Sequence, residues 1–253
     1  MTVSEAISKR RSIRRFRERV IPMEDVEAII SAGILAPSAK NRQPWRFIVV
    51  SGEEKAGMLD AMRRGLDKER ANEGLFPGAS EFVHWADHTA RIMAMAPVTV
   101  FVMNADESAL WIDGTFPQKI WDIANIQSIG AAIENMILAA TERGIGSLWI
   151  CDIFFAYREL VEWLGEEGQM VAAVSFGYAA EDPAARPRAP LADVVKWRPD
   201  RSKGNRITYA NIAEAGAKSN PRYAAFARGE SDRPPDLERH VFIERAWNDV
   251  IGI

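Results

Sequence analysis

The stretch "RRSIRRF", Arg10 to Phe16, sets four arginines around one hydroxyl in a chain of 253 residues whose net charge is only -3. With no global field to attract nucleic acid or an anionic membrane, a cluster of this kind acts locally. A guanidinium fork matches phosphate oxygens two at a time, so Arg10, Arg11, Ser12 and Arg14, at the end of a short helix, can converge on one phosphate group. Charge-assisted hydrogen bonds contribute about 1.5 to 3 kcal/mol each. Three or four of them approach the roughly 8 kcal/mol of micromolar binding. Arg15, Arg17 and Arg19 are expected to be ordinary solvated charge.

Two further segments stand out. "APSAKNRQPW", Ala36 to Trp45, reads plainly as a turn of Pro, Ser and Asn. Read chemically, it offers a stiffened backbone and amide side chains that can donate to and accept from the edge of a planar heterocycle. "RPRAPLADVVKW", Arg186 to Trp197, returns two arginines at alternate positions.

Several chemistries lack their usual marks. There is no GxGxxG, no GxxxxGK[ST] and no GxSxG. His84 and His88 share a helical face, but no third metal ligand accompanies them, so a surface or pocket-lining role is expected. Cys151 has no neighbour that would supply a base or favour a thiolate, and structural burial is expected.

Together the three segments resemble the nitroreductase family of FMN-dependent oxidoreductases, in which an RRSxRxF start, an APSxxNxQPW turn and an RPRxPLxEVV-like end occur in this order. The likeness spans about residues 4 to 198. It implies an α+β sandwich, a central mixed β-sheet surrounded by helices, in an intertwined homodimer with two FMN sites at the interface. By position, Arg10, Arg11 and Ser12 are expected at the FMN phosphate, completed by Arg186 and Arg188, with Arg14 at the ribityl chain or the pyrimidine edge. Pro37, Ser38, Ala39 and Asn41, with Gln43 beside them, match the turn that meets the flavin bound mainly by the other subunit. Gly146 and Ser147 match the strand near the reactive ring. Many relatives carry glycine after the "WI" pair, where this chain has Cys151 and Asp152. The implied chemistry is ping-pong: NADH or NADPH gives hydride to the flavin N5, and a small electron-poor acceptor then takes its place. No side chain is assigned as catalytic acid or base. A dehydrogenase or flavin-modifying enzyme on the same fold, a non-catalytic flavin-binding protein and an interaction module with surface arginines are the competing readings.

The elements that must hold these segments are legible in part. Thr2 and Glu5 have capping-box spacing for a short helix ending by about Arg11. Pro22 opens a second helix that Pro37 stops. Strands are predicted at 45–51, 97–103, 147–150 and 170–178, and helices at about 53–70, 80–95 and 155–164. Residues 118–143 are apolar nearly all round, as expected of a central helix enclosed by other elements. No apolar run is read as reaching the roughly 20 residues of a membrane span. One domain, 1–198, is expected, followed by a C-terminal extension, 199–253, that wraps the partner subunit, covers the active site or stays partly disordered. A single cysteine fits a reducing compartment, and the cytoplasm is the expected location. The acceptor is expected beneath residues 65–90 and 104–121, which hold Phe76, Phe82, Trp85, Trp111, Phe116 and Trp121. Those aromatics could equally pack helices or form the dimer interface.

Overall fold

A computed structural model describes residues 1–106 and 115–198. The chain divides into two compact units, Met1–Ala185 and Arg186 onward. The expected extension from residue 199 and Trp111 lie outside the described residues.

The first unit is a four-stranded sheet with helices on both faces. Its elements in order are α1 (Val3–Lys9), α2 (Met23–Ile34), β1 (Trp45–Ser51), α3 (Glu54–Arg70), α4 (Val83–Met95), β2 (Val98–Asn104), α5 (Phe116–Glu142), β3 (Gly146–Ile150), α6 (Tyr157–Leu164) and β4 (Gln169–Gly177). The strands run in the order β1-β2-β4-β3, and every neighbouring pair is antiparallel. Among the described residues, the parallel element of the expected mixed sheet is one bridge, from Ser12 to Ser147 on β3.

Alternation along β2 explains the layering. Val98, Val100 and Val102 join one apolar cluster with Val26 and Ile29 of α2 and Ile129, Ile133 and Met136 of α5. Phe101 and Met103 point the other way, into a cluster with Met58, Met62 and Leu66 of α3 and Ile92 and Met93 of α4. All seven β2 residues are buried, so this strand is the shared floor of two cores.

Helix ends follow their local chemistry. The Thr2–Glu5 capping box forms as the spacing predicts. Thr115 and Gln118 make a second one at the start of α5, with Pro117 in its first turn. Helix α2 stops at Ile34, a little before Pro37, because the residue before a proline is driven out of helical geometry.

The expected enclosure of α5 is corrected by the structure. One face packs on α2 and the sheet, while Phe116 (71% exposed), Ile123 (55%) and Ile126 (40%) face outward. By length and composition α5 is also apolar enough to cross a membrane. Its buried face is part of the core described above.

Two glycines mark close approaches. A Cβ on Gly33 would lie 2.8 Å from Met136 Cγ, whereas one on Gly177 would lie 2.6 Å from the Phe16 ring and 2.7 Å from Pro97 Cδ. Met136 can shift, but the two rings cannot easily do so. Gly177→Ala is therefore expected to destabilise the protein by about 1 to 3 kcal/mol, and Gly33→Ala by less. Thermal melts of the two variants would check the order.

The second unit contains α7 (Leu191–Val194), which is exposed. There Arg188 Nη1 donates to the Arg186 carbonyl at 3.2 Å and to the Pro187 carbonyl at 3.4 Å. Both arginines are exposed.

Candidate functional site

Residues 12 to 17 run as an extended segment against the ends of β3 and β4. Ile13 N donates to the Ser147 carbonyl at 2.9 Å, Arg17 N donates to the Tyr178 carbonyl at 2.8 Å, and Ala180 N returns a bond to the Arg15 carbonyl at 2.8 Å. Ile13 and Phe16 are buried, while Arg14 and Arg15 face out. Gly146 lacks a side chain because Ile13 Cγ1 would lie 2.7 Å from its Cβ. The expected strand residues thus form the bed on which the arginine segment lies, with Ser147 buried at the bridge.

The arginines divide by how their donors are used. Arg11 is committed to the fold: Nε donates to the Pro183 carbonyl at 3.2 Å, and Nη1 donates to the carbonyls of Ser8 (2.8 Å) and Arg10 (2.9 Å). It caps α1 and ties it to the chain after β4. Among the described residues the Arg10 guanidinium has only a long ion pair, 3.9 Å from Nε to Glu134 Oε1 on α5. Arg14 Nη1 makes one 3.3 Å bond to the Ser12 carbonyl. Among the described residues the Ser12 hydroxyl has no hydrogen-bond partner in the protein. Arg10, Ser12 and Arg14 therefore keep donors free for an anion, and this donor set fits a phosphate group.

Arg15, Arg17 and Arg19 are exposed, as expected of solvated charge, but each also makes a contact. Arg15 pairs with Glu181 at 3.3 Å, Arg17 Nε donates to the Ala179 carbonyl at 2.9 Å, and the Arg19 guanidinium lies 3.9 Å over the Tyr178 ring. Sequence gives no sign of this, because the partners lie over 150 residues away.

The Pro37–Gln43 segment is a tight turn with backbone strain. Lys40, Asn41 and Gln43 have φ of 53°, 56° and 52°. For a residue other than glycine such geometry costs about 1 to 2 kcal/mol. Ser38 compensates: its hydroxyl accepts the Gln43 N–H at 3.0 Å and its carbonyl accepts the Asn41 N–H at 3.0 Å. Ser128 Oγ on α5 accepts the Ala39 N–H at 3.3 Å. Arg42 locks the far side, 2.8 Å from Asp106 and 4.5 Å over the Trp121 ring. Pro37 and Asn41 are exposed, and the Asn41 amide has no hydrogen-bond partner among the described residues. The strained geometry is thus held from both sides of the turn.

Both groups touch α5, but on different sides. Ser128 and Glu134 are six residues apart, about 9 Å along the axis and about 120° around it. Among the described residues, no hydrogen bond or ion pair joins Arg10, Ser12 or Arg14 to the turn within one chain.

The other candidates resolve plainly. His84 Nδ1 lies 2.7 Å from the Glu81 carbonyl, and no cluster of three metal-ligating side chains occurs among the described residues. Cys151 is exposed, against the expected burial, and desolvation together with the Asp152 charge pushes its thiol pKa up. Phe76 packs edge-on to Phe155 at 5.5 Å, while Phe82 and Trp85 are 50% and 62% exposed.

A sequence profile of the nitroreductase family matches residues 7–178. The chain belongs to the nitroreductase family. Its relatives include a protein of Archaeoglobus fulgidus provisionally named NADH dehydrogenase/NAD(P)H nitroreductase, 33% identical over 70% of this chain and 84% of that one. Nitroreductase NfnB of Mycolicibacterium smegmatis is 27% identical over 76% and 90% of the two chains. A crystal structure from Desulfovibrio desulfuricans, provisionally called a nitroreductase and complexed with FMN, superposes with a TM-score of 0.60. It is 26% identical and covers 79% of this chain and 98% of its own. The NfnB structure from Mycobacterium smegmatis in complex with NADPH is 20% identical, with a TM-score of 0.59 over 77% and 97% of the chains, which shows the shared nitroreductase fold.

Proposed function

We propose that this member of the nitroreductase family is an FMN-dependent NAD(P)H oxidoreductase whose site is completed by a second copy of the chain. The observation that carries the reading is the unspent donor set of Arg10, Ser12 and Arg14 on a segment anchored to β3 and β4. Relatives named as NAD(P)H nitroreductases and a structural neighbour holding FMN support the choice of cofactor.

When bound, FMN would supply hydride-transfer chemistry between NADH or NADPH and an electron-poor acceptor such as a nitroaromatic or quinone. The protein binds and orients. Arg10 and Ser12 would hold the phosphate, and Arg14, two residues further along the extended chain, would meet the ribityl or pyrimidine end. The strained Pro37–Gln43 turn presents Asn41 and its backbone to the ring edge bound by the other subunit. Gly146 and Ser147 support the arginine segment from beneath.

The homodimer is supported by α5. Phe116, Ile123, Ile126 and Gly130 recur at seven-, three- and four-residue steps, the spacing of a helix–helix seam, and Trp149 of β3, 40% exposed, reaches within 3.9 Å of a Cβ built on Gly130. On the helical wheel Glu134, the partner of Arg10, lies on the same side as this stripe. A second copy seated on the stripe therefore borders the arginine segment and brings its own turn toward it.

Purified protein is expected to be yellow, to bleach on anaerobic addition of NADH or NADPH, and to regain colour with a quinone. Initial rates at varied donor and acceptor concentrations should give parallel reciprocal plots. A colourless protein indifferent to added FMN would overturn the reading, and intersecting plots would overturn the ping-pong order.

A further inference from the structure

Glu181 follows β4, and its carboxylate reaches back across 166 to 167 residues to the arginine segment. Oε1 accepts the backbone N–H of Arg14 at 2.5 Å and of Arg15 at 3.1 Å, while Oε2 accepts Arg15 Nε at 3.3 Å. The Glu181 side chain is 17% exposed and that of Arg15 is 70% exposed. Solvent screens the side-chain pair, so the two main-chain bonds do most of the holding. An acid beside an anion site is otherwise a poor choice, because its charge repels the ligand. Its presence is explained if it fixes geometry: one carboxylate oxygen spans two consecutive N–H groups and stops the main chain from turning where Arg14 begins.

We propose that Glu181 is the positioning residue of the anion site, clamping the main chain at Arg14 and Arg15 so that Arg10, Ser12 and Arg14 face one ligand before it arrives. The proposal rests on the function proposed above for that site. Burial raises the Glu181 pKa, but the hydrogen bonds from the Arg14 and Arg15 N–H groups and the Arg15 side chain together hold it below its ordinary value of 4.5. A lowered folded value means that the clamp's contribution is fully present above about pH 4.5 and is lost as pH falls through the folded value.

The test measures flavin release from the holoprotein by the rise in FMN fluorescence after dilution, together with amide exchange at Arg14 and Arg15. Glu181→Ala is expected to release FMN at least tenfold faster and to expose both amides. Glu181→Gln keeps an oxygen for both N–H groups and should stay within about threefold of wild type, a rescue that general destabilisation would not give. Glu181→Asp, too short to span both groups, replaces the alanine variant if that one does not fold, and should also release faster. Wild-type release from Glu181→Ala or Glu181→Asp, or a Gln variant as fast as the alanine one, would overturn the proposal. Wild-type protein that holds no FMN would sink the proposed function, while the clamp would still be read from amide exchange, where unchanged Arg14 and Arg15 rates in the variants would refute it.

Discussion

Replacing Arg10 and Ser12 together by alanine is expected to leave a folded protein that has lost its flavin. The Arg10–Glu134 contact is 3.9 Å long with Glu134 45% exposed, so its loss costs the fold little. The Ser12 hydroxyl supports nothing else among the described residues. Toward a phosphate, each is worth about 1.5 to 3 kcal/mol. Allowing for non-additivity, about 2 to 4 kcal/mol is lost together, roughly a 30- to 700-fold weaker affinity. The ratio of flavin to protein absorbance after gel filtration, followed by FMN titration, would show it. Arg11→Ala is the contrast. Its guanidinium serves three carbonyls, so that variant should lose melting temperature before it loses flavin. Full flavin content in the double variant would refute the assignment.

The second large effect is expected from Ile123→Asp combined with Ile126→Asp. Exposure of 55% and 40% in one chain leaves about half of each side chain to be covered by a partner. That amounts to about 1 kcal/mol apiece. Two-fold symmetry counts every change twice, giving about 4 kcal/mol, or roughly a 700-fold weaker dimer, before the cost of burying carboxylates is added. The single chain should still fold, since neither side chain is part of its core. Sedimentation should show a monomer, and flavin should be lost with the dimer because the Pro37–Gln43 turn no longer arrives from the second copy. A variant that stays dimeric would remove the α5 stripe as the interface. A monomer that keeps its flavin would remove the shared site.

Local features were legible in the sequence to the extent that their causes are local. The Thr2–Glu5 box, the strand at Trp45–Ser51 and the long helix all depend on neighbours within a few residues, and they occur where spacing places them. The exposed stripe of α5 was hidden because periodicity measures how apolar a face is and not what covers it. The donor cluster was visible as composition, but the division of labour within it was not. Arg11 resembles Arg10 in sequence, yet Pro183, 172 residues away, commits it to the fold. Glu181, Ser128 and Arg42 went unnoticed for the same reason: each acts through a partner that only the folded chain brings near.

The parallel rung between Ser12 and Ser147 covers part of the outer margin of β3, which is the last strand of the sheet among the described residues. The peptide proposed to hold the ligand thus also covers main-chain groups at which intermolecular strand pairing could begin. Protein stripped of its ligand and warmed should aggregate sooner than its melting point alone would indicate, because one detachment uncovers a templating margin.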